Sequence, residues 1–160
     1  MRGGILPAAL IFAALGFALS FVPRRIQGLG LVAAAIAAML SLQLPVDPAH
    51  AEAVYLAVWS GIVVSGASVH LPDRIRERGG VLLALVCGAA AGAVIGLAGG
   101  WPDLALAALA ILVILPGTWL VGSGRGIAVK VVTSWLIAIA LLAAALPLTP
   151  TPGYAPDHME

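Results

Sequence analysis

The chain has 160 residues, 62% of them hydrophobic and 9% charged, whereas an ordinary soluble domain is roughly half apolar and a quarter charged. A globule of this size leaves about a third of its unfolded-chain surface exposed, and 8 Lys+Arg with 7 Asp+Glu are too few to cover it, so the composition points to the bilayer as solvent. The net charge of +1 argues against a nucleic-acid-binding surface, and a single cysteine, Cys87, excludes an intrachain disulfide and a cysteine metal cluster.

Apolar stretches near the ~20 residues that cross the hydrocarbon core predict an all-α polytopic integral membrane protein with about six transmembrane helices. The expected spans are about 5–22, 28–44, 53–69, 81–97, 104–121 and 127–148. They form one transmembrane domain over 1–148, followed by a short Pro-rich tail over 149–160. The first stretch opens like a signal peptide, with MRGG before an apolar run. It ends in Pro23, Arg24 and Arg25 without an A-x-A site, so it is expected to stay as a span.

The breaks between spans hold Pro, Gly and nearly all the charge. Arg24, Arg25, Arg74, Arg76, Arg78, Arg125 and Lys130 fall on one side, and Arg2 on the other. The positive-inside rule then puts both termini on the non-cytoplasmic side. Basic turns (PRRIQG, PDRIRERG, GSGRG) alternate with acidic, Pro-containing ones (PVD, WPD, APD), so the chain reads as three helical hairpins. Alternating basic and acidic turns also follow from the positive-inside rule without any duplication.

In the fourth span, Ala84, Gly88, Gly92, Gly96 and Gly100 recur every four residues. Such a stripe lets a second helix approach closely, and close packing drives association where lipid offers no hydrophobic force. Its expected role is helix packing, within the chain or between chains. Glycine zippers also occur in rotary-ring proteolipids, but those need a mid-membrane carboxylate, which these spans lack. In the third span Gly61, Ser65 and Ser68 share a face near Trp59 and read as packing. In the fifth, Pro116 and Gly117 predict a kink, since proline lacks an N–H and its ring clashes with the preceding turn.

The deepest charge is Lys130, about a turn inside the sixth span, where a long side chain snorkels to the headgroups. With Thr133, Ser134 and Trp135 it forms a polar seam that is the main candidate for ligand contact. Arg74, Arg76 and Arg78 are candidates for lipid headgroups or a partner. His50, His70 and His158 lie at or beyond the span ends, which argues against a bis-histidine haem, and Asp47, His50 and Glu52 read as a solvated loop. No metal or other cofactor is expected. The GSGRG segment lacks the strand that precedes a phosphate loop and reads as a tight turn.

Hydrolase, zinc-protease and Walker motifs are missing, as are paired intramembrane carboxylates. The chain is therefore expected to be a non-catalytic accessory or structural subunit of a larger membrane complex. A small oligomeric transporter or channel is the alternative. Membrane lipids, other integral membrane subunits or further copies of the chain are the expected partners, and the bacterial inner membrane the expected location.

Overall fold

The computed structural model describes residues 4–146, and every regular element among them is helical. The helices are α1 (Ile5–Leu19), α2 (Arg24–Gln43), α3 (Ala51–Ser68), α4 (Asp73–Ala98), α5 (Trp101–Ala108), α6 (Ile114–Gly122) and α7 (Gly126–Ala145). A 3-10 turn, Pro48–His50, leads into α3, and a 3-10 segment, Leu109–Val113, joins α5 to α6. Five segments are long and apolar enough to cross a membrane: α2, α3 with its preceding turn, α4, α5 through α6, and α7. The expected tail and the last residues of the sixth span lie outside the described residues.

The first expected span is the exception. It ends at Leu19 after 15 residues, because the chain turns through Ser20, Phe21 and Val22 before Pro23 starts α2. Alpha-1 is also the innermost helix. Ala8, Ile11, Phe12, Ala14, Leu15, Ala18 and Leu19 are all buried, which takes in most of its circumference, as expected of a helix that is apolar all round. It packs against α3, α4, α5, the 3-10 segment, α6 and α7, and only lightly against α2.

That last point alters the three-hairpin picture. The α3–α4 and α6–α7 pairs do touch as antiparallel neighbours, but α2 turns away from α1 and lies along α4 in the largest helix–helix interface of the fold. The cause is the small-residue stripe. A Cβ placed on Gly88 would collide with the backbone of Ala34, and one on Gly92 with the backbone of Ala38. Ala34, Ala38, Ala84, Gly88 and Gly92 are all buried, so these two helices meet almost backbone to backbone, as small residues permit.

The stripe is shorter than the sequence suggests. Gly96 is exposed, and its added Cβ would be 3.7 Å from the Leu42 carbonyl, an ordinary contact. Gly100 lies beyond α4 and caps the start of α5, where its N–H donates to the Asp103 carboxylate at 3.1 Å. A four-residue repeat advances about 40° per step on a helix of 3.6 residues per turn, so five positions cannot all face one neighbour.

Close approaches also seat α1. An added Cβ on Gly61 of α3 would come within 2.6 Å of Ile11 Cδ1, and one on Gly16 within 2.9 Å of the Ile111 carbonyl. Gly117 abuts Ser20. At the expected kink, α6 runs through both Pro116 and Gly117, and a 3-10 segment precedes it at Leu109–Val113. Proline removes the donor to the carbonyl four residues back, which is that of Leu112, and crowds it. Leu112 lies in the 3-10 segment that precedes α6.

Candidate functional site at the arginine-bearing turns

Three turns converge at one end of the bundle, and Phe21 stands between them. Its ring lies beneath the Arg76 guanidinium, 5.0 Å from centroid to carbon. An added Cβ on Gly126 of α7 would lie 3.4 Å from the same ring. The first turn thus touches both the second and the third.

Arg76 is the best-anchored charge of this end. Its side chain is 12% exposed. Nη1 donates to the Val69 carbonyl at 3.1 Å, Nη2 pairs with the Asp73 carboxylate, and Nε is buried without an acceptor. Arg74 and Arg78, two residues to either side, are exposed. The three arginines expected to act together therefore divide, one tucked against the bundle and two facing outward. Helix phase accounts for this. Arg76 shares a face with Gly80, Leu83 and Cys87, at spacings of four, seven and eleven, and that face turns inward.

Two cavities meet at Arg76. One, of about 500 Å³, is of mixed character and opens at the end of the bundle, with Ser20, Arg24, Gln27, Asp73, Glu77 and Thr118 among its lining. Much of its hydrogen-bonding capacity is already used. Ser20 Oγ donates to the Gly16 carbonyl at 2.9 Å, Thr118 Oγ1 to that of Ile114 at 2.7 Å, and Gln27 Nε2 to that of Val22 at 3.0 Å. What it presents is charge of both signs. The other cavity, of about 300 Å³, is an apolar groove between α3 and α4, floored by Ala18, Leu19 and Val22.

The polar seam expected on the last span does not assemble. Thr133 is fully buried, Ser134 is exposed and Trp135 is 71% exposed. Both hydroxyls turn back on the helix and donate to the Lys130 carbonyl, at 3.0 and 2.9 Å. Lys130 is half-buried and lines a shallow recess beside Phe21. Thr133, Ser134 and Trp135 point in different directions because consecutive positions on a helix diverge by about 100°.

In the third span the structure does gather the small residues. Ser65 Oγ and the Cys87 Sγ lie 3.3 Å apart, both fully buried at the α3–α4 interface, and Ser68 Oγ donates to the Ser65 carbonyl at 2.7 Å. No group of three His, Cys, Asp or Glu side chains able to hold a metal occurs among the described residues. Asp47 instead caps the turn before α3, accepting from the Ala49 N–H at 2.9 Å.

The GSGRG turn is a helix stop. Gly124, at φ +77°, ends α6, with the Arg125 N–H donating to the Leu120 carbonyl at 2.8 Å and the Gly124 N–H to that of Val121 at 3.1 Å. That pair of bonds with a left-handed glycine is the Schellman arrangement. Sequence reasoning passed over Phe21 and Gln27. The cue for Phe21 was its place beside the first arginine pair, where an aromatic ring can take a cation on its face. Comparison with known families, with curated proteins and with solved structures gives no match.

Proposed function

We propose that this chain is a non-catalytic integral membrane subunit, a structural component of a larger membrane assembly. Its residues would cross the bilayer six times, with both ends on the non-cytoplasmic side. The observation that carries the reading is that the axis of the bundle is occupied by a helix rather than by a path. Alpha-1 fills it with Ala, Ile, Leu and Phe, and the buried hydroxyls around it are bonded to nearby carbonyls or to Cys87. Solute paths and proton relays through membranes are marked by ionisable side chains facing the interior, and here the arginines cluster at one end. The short α1 fits this reading, since a helix enclosed by protein does not have to match the ~30 Å hydrocarbon thickness.

The composition and the arginine bias favour the bacterial inner membrane, with the arginine-bearing turns on the cytoplasmic side. Purification of the tagged chain from its native membrane in mild detergent, followed by mass analysis, tests the proposal. Partner chains recovered at fixed stoichiometry are the expected result. A lone homo-oligomer would overturn it and favour the small-transporter reading, with substrate screening in liposomes as the next step.

A further inference from the structure

The apolar groove between α3 and α4 has a definite size, a definite opening and a charged end. Its walls include Val64, Leu71, Ile75, Leu82 and Val86, and its floor is α1. At about 300 Å³ it holds the bulk of roughly ten waters. A helix 10–12 Å across is far too large for it, whereas a single alkyl chain is not. Ile75 and Leu82, on its rim, are exposed, so it opens sideways from the bundle.

Arg76 closes the end of the groove. Arg78 is three residues from Ile75 and four from Leu82, which places it on the same side of α4, beside the rim. Six arginines (Arg24, Arg25, Arg74, Arg76, Arg78, Arg125) stand at this end of the bundle against two carboxylates, Asp73 and Glu77. Val69 and Asp73 engage one bond from each terminal nitrogen of Arg76. A guanidinium carries five N–H groups, so each terminal nitrogen keeps a second donor.

We infer that the groove is a binding site for one anionic phospholipid, with an acyl chain between α3 and α4 and the phosphate at Arg78, beside the end of the groove that Arg76 lines. The inference rests on the membrane reading above. An exposed cation near an anionic headgroup contributes about 1 kcal/mol, or about fivefold in affinity.

Gly79 supplies the test, because it lines the groove and a Cβ added there meets nothing within 4 Å. Gly79→Phe places a ring at the groove from a position where the Cβ itself meets nothing. The purified full chain is incubated with phosphatidylglycerol or phosphatidylcholine of matched acyl chains, and retained lipid is read by native mass spectrometry. The expected result is one phosphatidylglycerol retained about fivefold over phosphatidylcholine, with retention falling about fivefold in both Gly79→Phe and Arg78→Gln. Equal retention of the two lipids by the unaltered chain, or undiminished phosphatidylglycerol in Gly79→Phe, would overturn the site. Displacement of the lipid by millimolar inorganic phosphate would also overturn it, since the anion alone would then account for binding. Alkaline carbonate extraction of native membranes separates the two readings. Release of the chain overturns membrane integration and the lipid site together, while a chain that stays in the membrane but shows no lipid preference overturns the site alone.

Discussion

Phe21 and Arg76 hold two turns of the chain together through one contact, a ring 5.0 Å from a guanidinium. The guanidinium also holds the end of α3 through the Val69 carbonyl, so this single side chain ties the α1–α2 turn to the α3–α4 turn. A cation over an aromatic face contributes about 0.5–2 kcal/mol, the larger value where water is displaced. Phe21→Leu keeps the apolar volume and loses the ring, and is expected to lower stability by about 1 kcal/mol. Arg76→Met should cost more, since the Val69 carbonyl and Asp73 lose their donor as well. Thermal unfolding in detergent, compared across the two variants, checks the order.

The α2–α4 interface gives a sharper contrast. Gly92→Ala drives a methyl into the Ala38 backbone, whereas Gly96→Ala makes only an ordinary contact with Leu42. Overpacking of a closed interface costs about 1–3 kcal/mol, and here both sides are backbone and have little room to yield. Gly96→Ala is expected to be neutral or slightly stabilising, because alanine favours the helix by about 1 kcal/mol over glycine. Equal melting temperatures for the two variants would show that α2 does not lie on α4 in this register.

Cys87 is fully buried and faces Ser65. A maleimide reagent needs the thiolate to be exposed. Labelling is expected to be negligible in the folded chain and complete after denaturation. Ser65→Ala should lower stability by about 0.5–1.5 kcal/mol, the net worth of one hydrogen bond, and leave the protection intact. Rapid labelling of the native chain would show that the α3–α4 contact is open.

At the end of α6, Gly124 and Gly122 form a matched pair. Neither would bring a Cβ near another group, but only Gly124 has a positive φ. Gly124→Ala is therefore expected to cost about 1–2 kcal/mol from backbone conformation alone, while Gly122→Ala should cost nothing. Chemical denaturation of both variants separates conformational strain from packing.

The all-helical class and the rough position of the helices were legible because apolar length is written directly in the sequence, but five segments, not the six expected, are long and apolar enough to cross a membrane. Phase on each helix was only partly legible. The face shared by Arg76, Gly80, Leu83 and Cys87 can be read from spacing, yet Arg74, Arg76 and Arg78 stand close in sequence and invite treatment as one cluster. The partner of the Gly88 and Gly92 stripe was not legible at all, since small residues state how near a neighbour comes and not which neighbour it is. The 3-10 segment at Leu109–Val113 was hidden for a related reason. Proline names the carbonyl it deprives, but the packing of Gly16 against Ile111 and Ile114 bears on where the backbone yields.

The enclosure of α1 also orders events during synthesis. A ribosome completes Ile5–Leu19 before any of the helices that later surround it, so the innermost element begins without neighbours. Alpha-2, the next to emerge, scarcely covers it. Until α3 and α4 arrive, the apolar circumference of α1 lacks most of the neighbours that cover it in the fold. A chain interrupted before α4 would leave that helix uncovered on several sides and open to degradation.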